Sequence, residues 1–133
     1  MPAGVSHPEI GYTVFVGIKF AGYAFAGTLL NKEYSKPVNP WLFGATRTLV
    51  GMAVGGVMYL VIQNAKIEPL TLYALLVPIR IVEWSVVIAP FYDRGLSDKT
   101  RLFKCASLGM VWSFILDIPA GVVGFLSAGV WVC

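Results

Sequence analysis

Four long apolar runs occupy most of the chain and limit what it can fold into. They span approximately residues 11–30, 45–62, 70–90 and 105–131. Each is long enough to cross a hydrocarbon core of about 30 Å, which needs roughly 20 helical residues. The connectors are too short to fold a separate soluble domain. The sequence therefore predicts an all-α membrane protein, with residues 1–133 forming a single integral membrane domain built as a four-transmembrane-helix bundle.

Composition agrees with this class. The chain is 57% hydrophobic and 13% charged, with a mean hydropathy of +0.74, whereas a soluble domain carries about 25% charged residues. The net charge of +3 comes from cations in short loops, where membrane orientation and anionic headgroups account for it. No nucleic-acid-binding motif is present. We expect membrane lipids around the chain and no nucleic acid partner.

The basic residues are distributed unevenly among the connectors. Three lie in or just beyond the first connector, counting Arg47, and four lie in the third, while the second connector holds only Lys66. Because short cytoplasmic loops are enriched in Lys and Arg, the pattern predicts that loops 31–44 and 91–104 are cytoplasmic. Both termini are then outside.

Four charged residues interrupt the apolar runs near their midpoints. They are Lys19 in the first run, Arg80 and Glu83 in the third, and Asp117 in the fourth. A charge at a helix centre is unfavourable by about 2.5 to 3.5 kcal/mol even on the lenient insertion scale. We therefore expect all four to face the bundle interior as a neutral cluster, with Lys19 pairing with Asp117 or Glu83 and Arg80 with the other carboxylate.

Small residues share helical faces with these charges. Residues three, four and seven apart lie on one face, and close helix packing in membranes uses small side chains there. A GxxxG pattern also occurs in the second run. The residues predicted to pack helices together are Gly22, Gly51, Gly55, Gly121 and Gly124.

Two prolines lie close to the midplane charges. Pro78 and Pro119 each remove a backbone hydrogen bond two residues from a charge, and transporters often build midplane sites from interrupted helices. We interpret both as possible helix breaks, with the equally plain alternative that prolines are frequent in membrane helices. Trp84 and Ser113 could form the wall of a site.

Several functions are compatible with this pattern. The favoured hypothesis is a charged midplane site that binds or translocates a polar, anionic or amphiphilic small molecule or a lipid, with possible proton coupling and a possible homo-oligomer. The alternative is a structural or accessory subunit whose charges form an ionic latch. An intramembrane enzyme using Glu83 and Asp117 has less support. The lone His7 and two cysteines supply no metal or haem ligand set, so no cofactor or metal is expected.

Overall fold

The computed structural model describes residues 8–127, which form four α-helices. These are α1 (Pro8–Tyr34), α2 (Pro40–Ala65), α3 (Pro69–Tyr92) and α4 (Lys99–Ser127). No strand occurs within the described range. All four helices are long and apolar enough to cross a membrane, which confirms the all-helical prediction and the expected number of helices.

The second helix begins earlier than its apolar run suggests. Asn39 caps it, because its side-chain oxygen accepts a hydrogen bond from the backbone N–H of Trp41 at 3.0 Å, and Pro40 occupies the first helical position. Arg47 consequently lies about two turns inside α2 and is only 1% exposed. The sequence places Arg47 with the cations that flank the first connector, near the start of the 45–62 run, whereas the structure places it deeper in the helix and buries it.

The helices form a bundle in which α1 packs against α2 and α4, while α3 packs mainly against α4 and less against α2. The buried core is concentrated in the half of the bundle that lies towards the α1–α2 and α3–α4 loops. Phe43, Trp84 and Tyr92 are at most 1% exposed there. The Phe43 ring lies 6.0 Å from Trp84 and 5.8 Å from Tyr92, centroid to centroid. This half of the bundle holds the helices together.

Glycines allow the helices to approach one another closely. A Cβ atom built on Gly44 of α2 would lie 2.8 Å from the backbone nitrogen of Ala24 in α1. A Cβ built on Gly22 of α1 would lie 2.5 Å from the Leu116 methyl groups of α4. Since real Cβ atoms do not come so close to other atoms, glycine sets the spacing of α1 from both neighbours.

The α3–α4 loop is organised by one carboxylate. Asp93 accepts hydrogen bonds from the backbone N–H groups of Ser97 and Asp98 and from the Ser97 hydroxyl, at 2.9, 3.2 and 2.9 Å. The backbone bond from Ser97, followed by the others, lowers the pKa of Asp93 below its ordinary value,. The carboxylate therefore stays ionised at neutral pH and holds the loop that leads into α4.

Candidate functional site: a charged cluster between the helices

Lys19, Arg80 and Asp117 meet in the bundle and join three helices. The Lys19 ammonium forms an ion pair with Oδ1 of Asp117 and also donates to the backbone carbonyl of Ser113 at 3.3 Å. Arg80 Nη2 lies 2.6 Å from the other carboxylate oxygen, Oδ2 of Asp117. Both cations are 3% exposed, whereas the Asp117 side chain is 30% exposed. We call these three residues the triad.

A second ion pair joins α2 to α3. Arg47 Nη2 lies 2.7 Å from Oε2 of Glu83, and both side chains are buried. Arg47 was missing from the predicted cluster, although the Asn39-Pro40 helix-start signal would have placed it about two turns from the helix start and not at its end. We call the triad and this pair together the charged cluster.

The pairing within the cluster differs from the prediction. Each of the two midplane cations was expected to have its own carboxylate, but Lys19 and Arg80 both bind Asp117, and Glu83 binds Arg47. Glu83 pairs with Arg47 because α2 carries this cation about two turns from its start. The four-charge neutral cluster expected from the sequence is thus a five-charge cluster.

Aromatic and hydroxyl groups lie between the triad and the Arg47–Glu83 pair. The Arg47 guanidinium carbon lies 4.8 Å from the Tyr23 ring centroid and 5.1 Å from that of Trp84, distances that suit cation–π attraction. The Ser113 hydroxyl accepts a hydrogen bond from the Trp84 indole N–H at 2.9 Å and lies 3.3 Å from the Tyr23 hydroxyl. Trp84 and Ser113 therefore both line the cluster, together with Tyr23, which sequence reasoning missed.

The charges of the cluster do not balance. Among residues 8–127 it contains three cations, Lys19, Arg47 and Arg80, and two carboxylates, Glu83 and Asp117. With each group in its ordinary charge state, the cluster has a net charge of +1. Glu83 balances Arg47, so the surplus lies in the triad, where one carboxylate serves both Lys19 and Arg80.

A small cavity of about 20 Å³ lies between α1 and α2 at the edge of the cluster, and we call it the niche. Two nitrogen atoms of Arg47, Nε and Nη1, have no hydrogen-bond acceptor within the described part of the chain. A Cβ built on Gly51 would lie 3.1 Å from Arg47 Nη1. Side chains and backbone lining the niche include those of Lys19, Tyr23, Arg47, Thr48, Gly51 and Glu83.

A larger groove of about 360 Å³ runs along α1 and α4 and is mostly apolar. Glu33 and Lys104 are the charged residues of its lining, and Trp84 forms part of its wall. Arg47 lies against the same indole. The groove and the cluster are therefore neighbours that share Trp84, and neither Glu83 nor Asp117 belongs to the groove lining.

The prolines do not break the helices beside the cluster. Helices α3 and α4 continue through Pro78 and Pro119, and both prolines are exposed while Arg80 is buried. Of the two readings of these prolines, the structure agrees with the plain one, in which both lie within continuous helices. A continuous helix tolerates proline in a membrane where neighbouring groups or small local adjustments satisfy the freed carbonyl.

The predicted packing glycines have different surroundings. Gly22 lies against Leu116 of α4, whereas Gly51 lies against the guanidinium of Arg47 in its own helix. Gly55 is partly exposed. The side-chain surroundings of Gly121 and Gly124 are outside the described residues. The absence of a side chain at Gly51 therefore leaves room for the Arg47 guanidinium.

Comparison of the chain with protein-family models, with curated proteins and with solved structures finds no match. Hypotheses about function therefore depend on the geometry of the cluster itself.

Proposed function

We propose that this chain binds an anion, or the anionic group of a small molecule, in its charged cluster and carries it across the membrane. The observation that supports the proposal is the net charge of +1 on five groups between apolar helices; four of these groups are buried and one, Asp117, is partly exposed. Such an imbalance creates a site that favours the binding of one negative charge.

An anion should bind here because an unbalanced charge is energetically unfavourable where water is excluded. Removing an ion from water is unfavourable by several kcal/mol even after protein relaxation. A bound monoanion would bring the cluster to neutrality and would be attracted by a field that water screens weakly. Asp117 and Glu83 would hold the three cations in position when the anion is absent.

Transport across so small a bundle favours association of several copies. Four helices form a thin wall around a path. We propose a homo-oligomer in which each chain keeps its own charged cluster.

Replacing Lys19 by Met tests the anion site. Asp117 keeps Arg80 and Glu83 keeps Arg47, so the variant should fold with a neutral cluster. In nanodiscs of zwitterionic lipid, wild type should gain stability as chloride, formate, acetate or phosphate replaces gluconate at constant ionic strength. A hundredfold excess over Kd corresponds to about 2.7 kcal/mol. Lys19→Met should lose this gain, measured as the shift in Tm.

Lys99→Met is the matched control, because Lys99 is exposed at the start of α4 and its loss changes the net charge by the same amount. It should retain the full anion response. A wild-type Tm that is indifferent to all four anions would refute the proposal.

The second candidate is an ionic latch in a structural or accessory subunit. It is supported by the way in which the ion pairs connect all four helices. A latch predicts a Tm that does not depend on the identity of the anion. In native mass spectra, an accessory subunit would be accompanied by a second polypeptide.

For orientation, we propose that loops 31–44 and 91–104 are cytoplasmic and both termini are outside. With Arg47 assigned to α2, six cations flank these loops against one in the α2–α3 connector, so the bias persists. A membrane-impermeant thiol reagent applied to intact cells should label Cys133, and Cys133→Ser should abolish labelling because Cys105 is buried. Labelling that requires permeabilised cells would invert the topology.

A further inference from the structure

We infer that the niche between α1 and α2 is a binding site for a single small, dehydrated inorganic anion, of the class of chloride. The inference rests on the proposed function and specifies its ligand class. The niche combines unused hydrogen-bond donors on a buried cation, a surplus positive charge and a volume that admits one small occupant.

The donors come from Arg47. Its Nη2 binds Glu83, but its Nε and Nη1 have no partner among the described residues although the side chain is 2% exposed. A buried donor without a partner is unfavourable, and more so when it carries charge. The guanidinium is fixed between Tyr23 and Trp84, so it cannot easily turn to another acceptor. An occupant of the niche that accepts hydrogen bonds would satisfy these groups.

Charge distinguishes an anion from a water molecule in this position. Lys19 lines the same niche and is the cation that shares its carboxylate with Arg80. Glu83 also lines the niche, and its Oε2 is bound by Arg47. Glu83 balances Arg47, and Asp117 is shared by Lys19 and Arg80, so the net charge of +1 lies on the triad, to which the niche residue Lys19 belongs. A monoanion beside Lys19 balances this charge, whereas water leaves it in place.

Size restricts the ligand. A volume of about 20 Å³ is close to that needed for one water-sized occupant. Gly51 forms the α2 side of the niche. The space there is narrow, because an added methyl group would lie only 3.1 Å from Arg47 Nη1. Phosphate and carboxylate-bearing metabolites are larger than this volume. The niche therefore selects a monatomic anion.

Gly51→Ala tests the niche because its methyl group occupies the space beside Nη1. In zwitterionic nanodiscs, with gluconate keeping ionic strength constant, the chloride dependence of Tm should show binding to wild type. Gly51→Ala should bind chloride at least about tenfold more weakly. The matched control is Gly56→Ala, because a Cβ at Gly56 in the same helix meets nothing within 4 Å and chloride affinity should be unchanged.

A second variant fills the niche from α1. Val16 lines it and is partly exposed, so the larger side chain of Val16→Leu should occupy part of the niche and also weaken chloride binding. This variant keeps the inference testable if Gly51→Ala fails to fold. Chloride affinity equal to that of wild type in either folded niche variant would overturn the inference.

The outcomes separate the niche from the broader proposal. A chloride response that survives both niche variants but disappears in Lys19→Met would place the anion elsewhere in the cluster. A wild-type response to acetate or phosphate, but not to chloride, would likewise overturn the niche and keep the proposed function. No response of wild type to any of these anions would overturn both.

Discussion

Asp117→Asn is expected to destabilise the protein by about 3 kcal/mol or more, because it leaves two buried cations with no carboxylate. Lys19 and Arg80 both bind this one side chain, so the substitution raises the net charge of the cluster from +1 to +2. The partial exposure of Asp117 lets water compensate in part, but Lys19 and Arg80 themselves are buried. The free energy of unfolding in mixed detergent micelles is the measurement.

Asp98→Asn is the control for the same chemical change. Asp98 and Arg101 form an exposed pair at 3.6 Å, and Asn can still accept the hydrogen bond from the backbone N–H of Arg101,. The free energy of unfolding should change by less than about 1 kcal/mol. Equal stabilities of wild type and Asp117→Asn would mean that the triad does not contribute to holding α1, α3 and α4 together.

Gly44→Ala is expected to destabilise the bundle by about 1 to 3 kcal/mol, the usual range for overpacking. The added Cβ would lie 2.8 Å from the Ala24 backbone nitrogen and 3.1 Å from its Cα. Backbone atoms of a packed helix cannot move aside as a flexible side chain can, so α1 and α2 must separate. That separation also lengthens the distance between Tyr23 and Arg47, so the Tm should fall and any anion response should weaken with it.

Gly17→Ala provides the comparison on α1. A Cβ at Gly17 would meet nothing within 4 Å, and Ala favours the helix over Gly by up to about 1 kcal/mol. Stability should therefore stay the same or rise slightly. If the two alanine variants unfold at the same Tm, the close approach of α2 to α1 at Gly44 has no energetic consequence.

The sequence predicts the helices well because its strongest signal is long apolar runs interrupted by short polar connectors. It also predicts which charged residues are buried, since Lys19, Arg80 and Glu83 are too unfavourable in lipid to face outward. The burial of Arg47 was not predicted because this residue lies near the end of an apolar run, where a cation can reach the membrane surface. The cap at Asn39 moves the helix start outward and places Arg47 inside.

The close contacts were harder to predict. GxxxG spacing pointed to Gly51 and Gly55, but the residue that meets another helix backbone in α2 is Gly44. In a membrane helix, lipid-facing and buried positions are equally apolar, so the hydrophobic pattern does not reveal which face meets a neighbour. The positions of the glycines alone do not show which face of each helix packs against a neighbour.

The sequence by itself determined the class of protein, the number of helices and the presence of charges that must be sheltered from lipid, because length and hydropathy decide what a bilayer accepts. The tertiary structure alone decided which cation binds which carboxylate. That choice depends on the rotation of each helix about its axis and on the neighbours it packs against, and these follow from contacts between residues far apart in the chain. The surplus charge and the niche beside Arg47 follow from these tertiary contacts.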